Sequence, residues 1–156
     1  MSRAPKMILI ATLLAFAAFP ARAGGIEVSG GWTRATARGA SVGAGYLTID
    51  NRGGEADTLK GAACDRAERV EIHRSREENG VMTMRAAPNG VEIEAGGRLQ
   101  LQPGDYHLMM VGLKSAFLPD ETVHVTLHFA KGGDVGADLQ VVGFGAQGPA
   151  DAPQPK

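Results

Sequence analysis

The sequence predicts one all-β domain, an antiparallel β-sandwich or barrel of the Greek-key type. Three observations predict it. Short extended segments follow one another with turn residues between them, and no segment keeps a helical period. Glycine is abundant, with 22 residues, whereas aromatic residues make up only 5% of the chain, a balance that favours short strands and turns. The 156 residues suffice for one domain with its own hydrophobic core.

The first 23 residues have the pattern of a secretory signal peptide. Arg3 and Lys6 precede an apolar run of 13 residues from Met7 to Phe19, and Ala21-Arg22-Ala23 is a small-x-small cleavage site. The run is too short to cross a bilayer, although a retained amphipathic anchor is the alternative. No cysteine follows Ala23, which argues against a lipid anchor there. We therefore expect residues 1–23 to be removed and the mature protein to lie in the periplasm.

The first half of the expected domain, residues 24–145, begins with strands that end at glycine-rich turns. Residues 31–34 form an entry strand, and residues 42–50 form a strand that ends at the turn Asn51-Arg52-Gly53-Gly54. Residues 57–60 form a short strand. Residues 69–73 alternate, so that Val70 and Ile72 lie on one face and Glu71 and His73 on the other.

The middle of the chain predicts a hairpin followed by two short strands. Asn79-Gly80 is the strongest local hairpin signal, and after it the chain returns as a strand at 81–86. Strands at 91–93 and 98–101 are separated by Ala95-Gly96-Gly97.

The last part of the domain begins at the tight turn Pro103-Gly104-Asp105, which precedes a strand at 106–111. Residues 121–129 alternate clearly between apolar and polar residues, and residues 139–142 form the closing strand. Residues 146–156 are rich in Pro, Ala, Gln and Gly, and we expect a disordered tail.

Composition excludes several functions. Without residues 1–23 the chain has 13 basic and 17 acidic residues and no basic run, so nucleic acid is not an expected partner. No later segment is long and apolar enough to span a membrane. The sequence has no HExxH helix, P-loop or nucleophile elbow, and we expect no enzymatic activity.

Two histidines and two methionines have the spacing of a metal site. His73 and Met84 flank the predicted hairpin, and His107 and Met109 are two residues apart in one strand, with Cα atoms ~6–7 Å apart on one face. Two imidazole nitrogens and two thioether sulfurs form a soft ligand set that suits Cu(I), whereas thioether is a poor ligand for zinc. Thioether also resists oxidation to a disulfide outside the cytosol.

The other histidines and methionines and the single cysteine are expected at different positions in the fold. Met110 faces away from Met109 and is expected in the core, whereas Met82 shares a face with Met84 and either substitutes for it or flanks the site. Strand residues His124 and His128 are ~13 Å apart, too far to bind one ion together, and are expected to face solvent. The single cysteine, Cys64, is expected to be buried.

The pattern His73-x10-Met84 followed by His107-Leu108-Met109 resembles the signature of the periplasmic PCu(A)C copper chaperones. Further similarity covers nearly all of the chain up to about Phe144 and includes the segments Gly31-Trp32-Thr33-Arg34, Val70 to His73, Met82 to Arg85 and Pro103 to Met109. One extra residue separates Met84 from His107, which an insertion in the loop at 87–90 would accommodate.

The resemblance implies a cupredoxin-like Greek-key sandwich with an exposed Cu(I) site formed by His73, Met84, His107 and Met109. It also implies delivery of copper to a respiratory oxidase, with the oxidase copper subunit or a Sco-type assembly factor as acceptor, by a protein expected to be monomeric. The tail lacks the His and Met residues with which some members bind Cu(II). Two alternatives remain open: an electron-transfer cupredoxin, which would need a cysteine ligand, and a β-sandwich binding module without metal.

Overall fold

The computed structural model describes residues 25–149, and every regular element among them is a β-strand. The predicted signal peptide and residues 150–156 lie outside the described residues. Within residues 25–149 no helix is long and apolar enough to span a bilayer. The strands are β1 (Ile26–Arg34), β2 (Val42–Asn51), β3 (Asp57–Ala63), β4 (Ala67–Glu78), β5 (Val81–Ala86), β6 (Val91–Ile93), β7 (Arg98–Leu101), β8 (Tyr106–Leu113), β9 (Thr122–Phe129) and β10 (Gly133–Val142).

Seven of these strands close into a barrel. The hydrogen-bonded order runs β4-β8-β2-β1-β10-β9-β3, and β3 returns to β4 through the pair Ala62 and Val70. The other three strands extend the barrel wall, since β5 pairs with β4, β6 with β3 and β7 with β2. Closure leaves few free strand edges, and β5 is one of them.

The all-β Greek-key prediction is confirmed, with one exception to antiparallel pairing. Strands β1 and β10, near the two ends of the described chain, run parallel and align Trp32 with Gln140. Every other strand pair among residues 25–149 is antiparallel. The register of β1 against β2 shifts between Ser29 and Trp32, so that β1 bends where it meets the rest of the wall.

The core lies inside the barrel and follows the alternation of the sequence. In β9 the apolar residues Val123, Val125, Leu127 and Phe129 are all buried, as their period of two predicts. Cys64 is also buried in this core.

Six strands are longer than the sequence predicts, and three of them exceed the prediction by five residues or more. β1 begins at Ile26 instead of residue 31, β4 extends over Ala67–Glu78, and β10 begins at Gly133 instead of residue 139. Lys131-Gly132-Gly133 reads as a turn in the sequence, but Gly133 already pairs with Phe129 and begins eight consecutive register pairs between β10 and β9. Cross-strand hydrogen bonds, rather than local propensity, therefore decide where β10 begins.

The Asn79-Gly80 hairpin is confirmed. Asn79 has φ 54° and Gly80 has φ 79°, the pair of positive values that a type I′ turn requires. The turn joins β4 to β5 over six register pairs, from His73 with Ala86 to Glu78 with Val81.

Candidate metal centre

The two predicted histidine ligands are direct neighbours across two strands. His73 in β4 and His107 in β8 are register partners, and their ring centroids are 6.0 Å apart with an interplanar angle of 58°. Residues opposite each other in an antiparallel pair point to the same face of the sheet. The two imidazoles therefore lie side by side, close enough for one nitrogen of each ring to approach a common ion.

The two predicted methionine ligands lie on that same face. Met109 follows His107 by two residues, and Met84 is the register partner of Ser75, which follows His73 by two residues. Since side chains alternate along a strand, all four predicted ligands project from one face of the sheet formed by β5, β4 and β8. The structure brings the four residues to the same face, whereas the sequence alone places only His107 and Met109 on a common face.

This face is the outer face of the barrel wall. The intervening residues Ile72, Leu108 and Met110 point inward and are buried in the core. Exposure rises from the barrel wall toward β5: His107 is 4% exposed and Met84 is 51% exposed. The β5 end of the candidate centre is therefore accessible to solvent, whereas His107 is buried.

A hydrogen bond fixes the tautomer of His107. Its Nδ1 lies 3.0 Å from the backbone carbonyl oxygen of Asp105, which only accepts, so Nδ1 carries the proton and donates. The remaining nitrogen, Nε2, keeps its lone pair for a ligand. Burial lowers the pKa of His107; the hydrogen bond to the Asp105 carbonyl opposes this shift, and the neighbouring His73 adds to it.

His73 is fixed through its other nitrogen. Its Nε2 lies 2.8 Å from Oε2 of Glu71, and an ionised carboxylate only accepts, so Nε2 carries the proton. Hydrogen bonds from Arg69 and from His73 lower the pKa of Glu71 and keep it ionised. Nδ1 of His73 is buried and has no hydrogen-bond partner among the described residues. A buried ring nitrogen with a lone pair and no partner is unusual in a folded protein and fits a metal ligand.

A cavity of about 450 Å³ opens beside these side chains. Met84, His107 and Met109 line it, whereas His73 does not; Pro103 and Gly104, from the turn before β8, also line it. Residues lining the cavity on the β1 and β2 side include Arg34, Ala44 and Tyr46. Three of the four predicted ligands thus face a common open space beneath the turn and the hairpin.

Arg34 forms part of the cavity wall, a role that the sequence did not indicate. Its guanidinium lies over the rings of Trp32 and Tyr46, and it donates hydrogen bonds to the Tyr46 hydroxyl and the Ala146 carbonyl. Ala146, which the sequence assigns to the tail, is therefore attached to the barrel. Glu71 was also not assigned a role, although the alternation of β4 places it on the face of His73.

The remaining candidate groups lie elsewhere. Within residues 25–149 no cluster of three or more His, Cys, Asp or Glu side chains could hold a metal ion, so a centre at His73 and His107 needs the thioethers. His124 and His128 are paired with Asp138 and Asp134 on β10, at 2.6 and 2.7 Å, and have exposed or partly exposed side chains. These results agree with the solvent-facing positions predicted for both histidines.

Comparison with known proteins adds independent observations. The model of the LpqE-like family, whose members are described as lipoproteins, matches residues 26–141. A protein of Leifsonia xyli subsp. xyli (strain CTCB07), Lxx21020, described as a lipoprotein, is 34% identical over 111 residues. The alignment covers 71% of this chain, and the chain spans only 66% of that relative's length.

Two solved structures have a similar fold. The copper-bound PCuAC domain from PmoF2 superposes with a TM-score of 0.64 at 21% identity, covering 78% of this chain and 95% of that domain. The solution structure of CuI-DR1885 from Deinococcus radiodurans superposes with a TM-score of 0.58 at 28% identity, covering 72% of this chain and 75% of that one.

Proposed function

The chain belongs to the LpqE-like family and has the PCuAC fold, as its sequence resemblance predicts, and from this premise we propose that it binds one Cu(I) ion and passes it to another protein. The ion is cargo rather than a resident cofactor, and the ligands are His73, Met84, His107 and Met109. The similar proteins PmoF2 and DR1885, whose solved structures contain copper, support the choice of metal.

The observation that carries this proposal is how the two imidazoles are held. One nitrogen of each ring is hydrogen-bonded to an acceptor, the Glu71 carboxylate or the Asp105 carbonyl, and Nδ1 of His73 is buried with no hydrogen-bond partner among the described residues. Anchoring of this kind fixes both the orientation and the tautomer of a ligating histidine. Two neutral nitrogens and two neutral sulfurs add no negative charge, which favours a monovalent soft cation over divalent zinc.

The positions of the ligands suit reversible binding. His107 is held almost completely out of solvent, whereas Met84 sits on the edge strand β5 and is half exposed. Thioether bonds can be exchanged one at a time with the ligands of an approaching acceptor. The ion stays bound to the rest of the ligand set while one ligand is exchanged, so that copper need not pass through water.

Binding is tested by anaerobic titration of the protein with Cu(I) in competition with bicinchoninate. We expect one equivalent to bind tightly, and Zn(II) to bind far more weakly. Binding of Zn(II) with an affinity similar to that of Cu(I) would contradict a centre with two thioether ligands.

The second part of the proposal concerns the protein to which copper is delivered. We propose that the acceptor is an extracytoplasmic copper protein, either the copper subunit of a respiratory oxidase or a Sco-type assembly factor. Copper-loaded protein is mixed with the apo form of each candidate, and transfer is followed by optical spectroscopy. Direct transfer predicts a rate that rises with acceptor concentration, whereas a rate independent of acceptor means that copper dissociates first and that the protein stores or buffers copper.

A further inference from the structure

The edge strand β5 has a second exposed methionine that the four-ligand centre does not use. Met82 is 58% exposed, Met84 is 51% exposed, and β5 is the last strand of the sheet order. Burial of apolar side chains is the main stabilising contribution to a fold, so two thioethers left in solvent add little to stability. The described residues offer no packing reason for Met82.

The register places Met82 on the face of the candidate centre. Met82 is opposite Glu77 and Met84 is opposite Ser75, and both lie on the side of β4 that also presents His73. The two methionines are two residues apart, with Cα atoms ~6–7 Å apart, the same spacing as His107 and Met109. Both sulfurs can therefore approach one ion at the open side of the site.

We infer that Met82 and Met84 form a second, transient Cu(I) position on β5, through which the ion enters and leaves the four-ligand centre. This inference rests on the proposed function. It follows from access: His107 is 4% exposed, whereas Met84 is 51% and Met82 58% exposed, so ligands of another molecule can reach the β5 side of the site directly. The ion advances by exchange, in which a bond from copper to the Met82 sulfur forms as a bond to a histidine nitrogen breaks. Copper remains Cu(I), no electron is transferred, and the released nitrogen keeps its lone pair.

Loading and unloading rates test this inference. Cu(I) uptake, and Cu(I) removal by excess bicinchoninate, are measured by stopped-flow for the wild-type protein and M82L. We expect M82L to slow both rates about tenfold, so that their ratio, the affinity, changes far less than either rate. The matched control is the double variant V81M/M82L, which keeps an exposed thioether in β5 but moves it to the opposite face. It should remain as slow as M82L.

A second measurement locates the ion directly. Protein with 13C-labelled methionine methyl groups is titrated with Cu(I) alone and followed by NMR. The first equivalent should shift the Met84 and Met109 methyl signals, and a second equivalent should shift the Met82 signal. An unmoved Met82 signal, or M82L rates equal to the wild-type rates, would overturn the inference while the shifts of Met84 and Met109 still support the proposed function. If no methionine signal moves, both fail.

Discussion

At the scale of single residues, the site depends on which nitrogen of each histidine carries a proton. The Asp105 carbonyl and the Glu71 carboxylate are both acceptors, and each holds one N–H. The lone pairs that remain, on Nε2 of His107 and Nδ1 of His73, belong to neighbouring rings on one face. No hydrogen-bond donor among the described residues occupies Nδ1 of His73, so this nitrogen is available to the Cu(I) ion that we propose.

Adjacent methionines in β8 allow a matched test of the thioether ligands. Met109 lines the cavity, whereas Met110 is buried in the core with 0% exposure. We expect M109L to lower Cu(I) affinity at least about tenfold, or about 1.4 kcal/mol, because the sulfur ligand is lost. M110L should leave the affinity unchanged, and each swap should cost under ~1.5 kcal/mol of stability. Competition titration and urea unfolding measure both quantities, and equal affinities for the two variants would rule out Met109 as a ligand.

Burial of His107 makes the stability of the copper-free domain depend on pH. Because burial lowers the pKa of His107 below its ordinary value of ~6.5, the unfolded chain takes up a proton before the folded domain does. The free energy of unfolding should therefore fall as the pH drops below ~6.5, the ordinary pKa of histidine in the unfolded chain. The fall should continue until the pH passes the lowered pKa of His107 in the folded domain.

Urea unfolding of the copper-free domain between about pH 7.5 and pH 5 measures this effect. The variant H107Q removes the titrating group and should show a shallower loss of stability with acid over that range. Equal slopes in the two proteins would mean that His107 is not held neutral by the fold.

At the scale of elements, the β4–β5 hairpin presents the most exposed of the proposed ligands. Among the described strands β5 pairs with β4, and it contributes Met84 at register with Ser75. The type I′ turn at Asn79-Gly80 sets that register, since a one-residue slip would move Met84 to the other face.

Comparing substitutions at two glycines that both have positive φ distinguishes the role of the hairpin in copper binding from an effect on stability alone. Gly80 has φ 79° and Gly96 has φ 69°, and an added Cβ would meet no atom within 4 Å at either position. G80A and G96A should each destabilise the domain by about 1–2 kcal/mol, since left-handed backbone disfavours a side chain. Only G80A should also weaken Cu(I) binding, because it disturbs the hairpin that presents Met84. Equal copper affinities in the two variants would contradict the role of the hairpin.

The sequence predicts what alternation and turn chemistry determine locally. It predicts the inward residues of β9, the Asn79-Gly80 turn, and a common face for His107 and Met109. It does not predict the direct pairing of His73 with His107, which depends on the register between strands far apart in the chain. The parallel pairing of β1 with β10 is also non-local, and the anchoring of His73 by Glu71 requires the side-chain geometry.

At the scale of the whole molecule, the barrel separates the core from the site. The core contains the single cysteine, Cys64, whereas the candidate ligands project from the outer wall. A blue-copper centre needs a cysteine thiolate among its ligands, so this separation argues against an electron-transfer role.

The central claim is the ligand set, and X-ray absorption of the Cu(I)-loaded protein tests it most directly. We expect two nitrogen and two sulfur neighbours around copper in the wild-type protein, and the loss of one sulfur neighbour in M109L. A spectrum with only nitrogen and oxygen neighbours, or one that is the same in wild type and M109L, would contradict it.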